Sequence, residues 1–196
     1  RGGISLVIDI QNSIKAQESR GYEHWAKIHN LKQAARTLNF LTENRIDSYA
    51  ELSAKIAEVN AASEQAAGVL KGVERRLADM AILIKNVTTY QKTKPVYEAY
   101  RAAKDKAAYR AAHESSIILF EAAAKAIKPA LVGGKLPNVA ALQAEYAKLQ
   151  EQKETLYADY GRLKKQVKEY DVIKRNIDSI LRRESEPERG KENVRG

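Results

Sequence analysis

The feature that most constrains this chain is a spacing of apolar and small residues that alternates three and four without a slip. It runs through Tyr49, Leu52, Ile56, Val59, Ser63, Ala66, Leu70, Val73, Leu77, Met80, Ile84 and Val87. A second run takes in Val139, Leu142, Tyr146, Leu149, Lys153, Leu156, Tyr160, Leu163, Val167 and Tyr170, and Ile173, Ile177 and Ile180 extend it to about Leu181. An average period of 3.5 held over this length specifies coiled-coil helices. At 1.5 Å per residue each helix spans ~65 Å. The expected fold is therefore all-α, a long antiparallel coiled-coil hairpin of residues 48–90 and 138–182. In the favoured register, paired residue numbers sum to 226, although slips of seven keep the pattern. Lys153 and Ser63 are the polar seam positions. Gly68, Gly72 and Gly161 fall close together in that register, which predicts a weak zone or a close backbone approach.

The remaining segments read as shorter helices. Ile4, Val7, Ile10 and Ile14 predict a helix over 4–19, and Tyr22, Trp25, Ile28, Leu31, Ala35, Leu38 and Leu41 predict another over 22–42. Together these residues, 4–42, are expected at one end of the hairpin. Thr42 to Arg45 reads as a turn. Ser48 and Glu51 form a capping box, and Asn138, after Pro137, is an N-cap. Pro95 in first-turn position begins a helical insert over 95–128 at the hairpin tip, with one stripe of Val96, Tyr97, Tyr100 and Ala103 and another of Ile117, Phe120, Ala124 and Ile127. Pro129, Gly133, Gly134 and Pro137 mark a loop. The domain reading is a single helical domain over 1–183, and the charged tail 184–196 reads as disordered.

Composition excludes several classes of function. Among 196 residues there is no Cys, so disulfides, thiolate metal sites and Cys nucleophiles are ruled out. The longest strongly apolar run is Ile117 to Phe120, far short of the ~20 residues a membrane helix needs. The residues give no sign of membrane insertion. His24, His29 and His113 are scattered, and no HExxH, phosphate loop or GxSxG occurs. The carboxylates lie among Lys and Arg on helix faces, as a solvated surface does. No catalytic constellation, metal site or cofactor site is read.

The net charge of +9 is concentrated. Lys85 to Arg110 carries seven basic and two acidic residues, and Tyr160 to Arg183 carries eight and three, so each stretch nets +5. The first stretch also holds Tyr90, Tyr97, Tyr100 and Tyr109. Aromatics among cations suit nucleic acid, through base stacking and phosphate neutralisation. The spacing of Tyr90 and Tyr97 fits core packing instead, whereas both readings stay open for Tyr100 and Tyr109. The candidate DNA-binding residues are Lys92, Lys94, Tyr100, Arg101, Lys104, Lys106, Tyr109 and Arg110. The second stretch is the weaker candidate, because the first adds aromatics and because Glu51, Glu58 and Glu64 on the partner helix can neutralise several of the Arg162–Arg183 cations across the seam.

The segment GYEHWAKIHNLKQAARTLNFLTENRIDSYAEL (Gly21 to Leu52) resembles the region after the nuclease domain in relaxase/mobilization proteins of Gram-positive conjugative elements. The resemblance continues in YQKTKPVYEAYR (Tyr90 to Arg101), in His113 to Ile127 and in KLPNVAALQAEYAKL (Lys135 to Leu149), and spans about Ser5 to Leu181. Its most specific parts are Trp25, Asn30-Leu31-Lys32-Gln33 and Tyr90 to Tyr100. Relaxases of this family nick one strand at the origin of transfer, using a Tyr nucleophile and a metal held by an HxHxH-type cluster in the nuclease domain. This chain has no HxHxH, so no catalytic residue carries over. The resemblance implies a non-catalytic, bacterial and cytoplasmic accessory region, detached from its nuclease, and the start at Arg1 without Met fits such a piece. The implied partners are origin-of-transfer DNA, the conjugation coupling protein and other relaxosome proteins. The alternative function is a purely structural coiled-coil module for protein interaction or dimerisation, without DNA binding.

Overall fold

The computed structural model describes residues 5–19 and 31–185. The first part of the expected 22–42 helix, residues 22–30, with His24 and His29, and the tail 186–196 lie outside the described residues. Six α-helices are described: α1 (Leu6–Ser19), α2 (Leu31–Glu43), α3 (Tyr49–Ala102), α4 (Lys106–Ala112), α5 (Glu114–Ile127) and α6 (Val139–Ser185), with a 3-10 turn at Lys128–Ala130. The fold is all-α. The chain divides into two compact units, residues 1–65 with 160–196, and residues 66–159.

In the first unit, α1, α2, the start of α3 and the end of α6 share one core. Leu6, Ile10, Phe40, Leu41, Ile46, Leu52, Tyr170, Ile173, Ile177 and Ile180 are buried in it. Phe40 meets Tyr170 edge to face at 5.0 Å, a preferred aromatic geometry. Ser5 caps α1, accepting from the Ile8 amide at 3.3 Å, and the Leu6 amide ties this start to the Asp47 carbonyl at 2.9 Å. The buried line of α1 is Leu6, Ile10, Ser13 and Gln17. The expected stripe through Val7 and Ile14 is only half-buried, because α1 is turned to place two polar side chains inward. Gln17 donates to the Ile180 carbonyl at 3.4 Å. Thr37, fully buried, donates to the Gln33 carbonyl at 2.8 Å and accepts from Asn176 at 3.2 Å. These bonds satisfy the Thr37 hydroxyl and the Gln17 amide nitrogen, groups that are expensive to bury alone, while Gln17 Oε1 is buried without a hydrogen-bond partner among the described residues.

The turn after α2 ends in the left-handed conformation, with Arg45 at φ 54°, and then delivers Ile46 into the core. Ser48 caps α3 through the Glu51 amide at 3.1 Å. The Glu51 carboxylate accepts from the Asp47 amide at 2.7 Å, one residue before the amide a capping box uses. At the start of α3, the Tyr49 hydroxyl donates to Asp178 at 2.7 Å. Their numbers sum to 227, one away from the expected 226.

In the second unit α3 and α6 run antiparallel. Lys153 meets Glu74 at 3.9 Å and Arg76 meets Glu145 at 3.5 Å. The first pair again sums to 227. Leu70, Leu77, Val87 and Leu149 are buried, and Val73, Met80, Ile84, Leu142, Tyr146 and Leu156 are half-buried. Lys153 lies half-buried in the seam and sends its ammonium to a carboxylate at the rim. An ion pair this exposed adds less than ~1 kcal/mol.

The expected break between residues 90 and 95 is absent. One helix runs to Ala102 with Pro95 inside it. Pro95 removes the amide that the Gln91 carbonyl requires, but both residues lie on an exposed face of the helix rather than in the core. The cost of ~3 kcal/mol is offset by packing on both sides of the proline. Tyr90 and Tyr97 both stack on Phe120, at 4.8 and 4.2 Å. The second expected insert helix is in turn divided at His113, which ends α4 and precedes α5. Asp105 caps α4 through the Ala108 amide at 3.1 Å, and Asn138 caps α6 through the Ala141 amide at 3.2 Å. Between them, Gly133 and Gly134 at φ 58° and 75° close a tight turn. In it Val132 and Lys135 exchange backbone hydrogen bonds of 3.3 and 3.0 Å. Positive φ at both central positions is the hairpin geometry that glycine adopts without strain.

A Cβ placed on Gly68, Gly72 or Gly161 meets nothing within 4 Å. Close backbone approach is therefore not why these three residues are glycine.

Candidate functional site

The basic and aromatic residues of the second unit occupy the last turns of α3, the link 103–105 and α4. Tyr97 touches Tyr100 at 5.9 Å, Tyr100 stacks on Tyr109 at 6.4 Å, and Tyr109 meets His113 at 4.3 Å. With Tyr90 and Phe120 these rings form one continuous aromatic line. Its inner part is core, as the spacing of Tyr90 and Tyr97 predicts. Its outer part, Tyr100 and Tyr109, is half-buried, and His113 is exposed at its end.

The cations around this line fall into two groups. Arg110 is held: its guanidinium donates to Glu121 at 3.1 Å and lies 5.7 Å over the Tyr100 ring. Hydrogen bonds to Glu121 and then Tyr100 raise its pKa above the usual arginine value. This residue clasps α4 to α5. Lys94 pairs with Glu98 at 3.9 Å, one turn along the same helix. Lys92, Arg101, Lys104 and Lys106 are exposed and have no ion-pair partner among the described residues. Lys92 and Arg101 are nine residues apart, which is about 180° around a helix. They flank opposite sides of the buried stripe. Arg101, Lys104, Lys106, Tyr100 and Tyr109 thus gather where α3 gives way to α4, while Lys92 stands apart.

In the first unit, two of the three glutamates expected to neutralise the second basic stretch have other partners. Glu51 is engaged with the Asp47 amide, and Glu58 pairs with Lys55 on its own helix at 3.6 Å. Lys164, Lys165 and Lys168 are exposed, with Lys164 5.4 Å from the Tyr160 ring centre. The side chains of Arg182 and Arg183 lie outside the described residues. An open groove of about 550 Å³ in this unit is lined by Lys32, Arg36, Asn39, Phe40, Glu43 and Glu169, among others. Its charged groups are two of each sign, so it favours no charge of ligand.

The clasp of Arg110 and Glu121, and the place of His113, were not anticipated from sequence. The i, i+4 spacing of Tyr109 and His113 is visible, but Arg110 and Glu121 meet only because α5 folds back after the break at His113. Among the described residues no three His, Asp or Glu side chains converge as a metal site would require. No described helix is long and apolar enough to cross a membrane. Comparison with protein-family models, curated proteins and solved structures finds no match.

Proposed function

We propose that this chain is a non-catalytic accessory region of a conjugative relaxase. In this reading it helps assemble the DNA-processing complex and contacts DNA through the junction of α3 and α4. The resemblance of Gly21 to Leu52 and of Tyr90 to Arg101 supports the relaxase assignment. The observation that carries the DNA contact is the set of exposed, unpaired cations Arg101, Lys104 and Lys106 beside the half-buried Tyr100 and Tyr109. Unpaired cations keep their charge available for phosphate, and releasing counterions from phosphate drives binding.

The test is a salt titration of binding to single-stranded and duplex DNA of about 30 nucleotides, a length exceeding one such site. Arg101, Lys104 and Lys106 to Gln, with Arg110 kept as the clasp, should flatten the log–log salt slope by about 0.7–0.9 for each phosphate no longer neutralised. Matching changes at Lys164, Lys165 and Lys168 should do less. Equal flattening by both sets overturns the choice of site. An unchanged slope in both overturns DNA contact.

The alternative is a protein-interaction module of the same complex, contacting the coupling protein or another relaxosome protein. What favours it is that Tyr100, Tyr109 and Arg110 are already engaged by one another and by Glu121. Capture of transfer proteins that survives nuclease treatment, together with a flat salt slope, supports this alternative.

A further inference from the structure

α5 carries two apolar faces. Ile117, Phe120, Ala123 and Ile127 are buried against the rest of the second unit. On the opposite side Ser115, Ile118, Leu119, Ala122 and Ala126 are exposed, with Ile118 at 49% and Leu119 at 52%. At 100° per residue these five positions cover an arc of about 100° without a charge. A helix apolar on both sides is normally covered on both.

We infer that this second face pairs with the same face of a second copy of the chain, the two α5 helices antiparallel about a twofold axis near Ala122. Two independent patterns select this occupant. The first is size. The large residues, Ile118 and Leu119, lie in the first half of the face, and the small ones, Ala122 and Ala126, in the second. Antiparallel pairing sets Ile118 opposite Ala126 of the second copy and Ala122 opposite its own counterpart, so bulk fills space and the helices approach closely. Parallel pairing sets bulk against bulk and leaves a gap between the alanines.

The second pattern is charge. A ridge separating the two apolar faces reads Glu114, Glu121, Lys125, Lys128 along the helix. A twofold axis across an antiparallel pair brings this ridge against itself reversed. Glu114 then meets Lys128 of the second copy, and Glu121 meets Lys125. Glu114, Lys125 and Lys128 have no ion-pair partner among the described residues, and Glu121 has a second oxygen beyond its bond to Arg110. An acidic first half and basic second half make the surface complementary to itself, as an isologous interface requires. One helix face is small beside the ~800 Å² per partner of stable complexes, so the pairing is weak and concentration-dependent. The inference does not rest on the DNA reading, and its test contains no nucleic acid.

The chain has no Cys, so Ala122→Cys places one thiol at the axis, and Ile82→Cys, exposed at 59% in α3, is the control. Under mild oxidation Ala122→Cys should form a disulfide-linked dimer at least about tenfold faster than the control, because only facing Cβ atoms meet disulfide geometry. Sedimentation equilibrium of the unaltered chain up to about 500 µM, a range suited to a weak interface, should show the mass rising from 21.9 kDa toward its double. Ile118→Glu with Leu119→Lys should abolish that rise while leaving the helical circular dichroism unchanged, since both side chains are exposed. A monomer throughout, equal cross-linking rates, or a dimer that survives the double substitution overturns the inference.

Discussion

The two units draw on α3 and α6 alike, yet they close their cores differently. In the first unit α1 and α2 cover the helix pair, and Leu52, Ile173, Ile177 and Ile180 are fully buried. Buried Ser13, Gln17 and Thr37, with half-buried Asn176 bonded to Thr37, form a polar layer between the helices. In the second unit much of the pair has only itself for cover, and its seam is mostly half-buried, with Leu70, Leu77, Val87 and Leu149 as the buried points. Where α5 returns, the core becomes aromatic. A continuous heptad pattern therefore does not imply uniform burial. The same spacing yields a sealed core where a third and fourth helix arrive, and a partly wet seam where they do not.

Truncation should expose the largest difference. Ile177→Ala in the sealed core should lower stability by about 3–5 kcal/mol, and Leu77→Ala in the thinner seam by about 2–3, since a half-open seam leaves a smaller cavity and collapses more readily. Urea denaturation of both variants measures the gap, and equal destabilisation would erase the distinction. A smaller effect of opposite sign is expected at Pro95. Pro95→Ala should raise stability by about 1–3 kcal/mol, because it restores a helix hydrogen bond on an exposed face while leaving the Tyr90–Phe120–Tyr97 stack alone. Destabilisation there would mean that the proline sets the helix direction the aromatics require. The smallest effects are at the glycines. Gly68→Ala, Gly72→Ala and Gly161→Ala should each add about 1 kcal/mol, since nothing lies within 4 Å of the new methyl group. Hydrogen exchange around these sites should slow accordingly.

How much of this was legible follows from which forces are local. Seam positions from Leu52 to Val87 and from Val139 to Ile180 are all buried or half-buried, as period alone predicts, and only Tyr49 at the first position is exposed, at 38%. The caps at Ser48 and Asn138 were legible too, because they depend on residues three apart. The helix through Pro95 was not, because Phe120, twenty-five residues away, provides the packing that outweighs the proline. Nor were the inward Ser13 and Gln17, because the bond from the Gln17 amide to the Ile180 carbonyl is a tertiary contact that no hydropathy pattern records. At the candidate site, the core role of Tyr90 and Tyr97 was readable from spacing. The division of the cations into held and unpaired groups was not, since Arg110 finds Glu121 only through the turn at His113. Of the three glutamates expected to neutralise the second basic stretch, Glu51 and Glu58 turn elsewhere for a related reason. Nearer partners, the Asp47 amide and Lys55, claim them first.

The central claim is that the unbroken three–four spacing encodes one antiparallel register. Zero-length carbodiimide cross-linking followed by peptide mass spectrometry tests it on the unaltered chain, since this chemistry joins only amines and carboxylates in contact. Lys153 and Glu74, 3.9 Å apart, should give the dominant cross-link between α3 and α6 in the second unit. A register slipped by seven residues would set Lys153 beside Ala81 or Ala67, which carry no carboxylate, so loss of the Glu74 link, or a link from Lys153 to Glu64 or Asp79 in its place, would contradict the account.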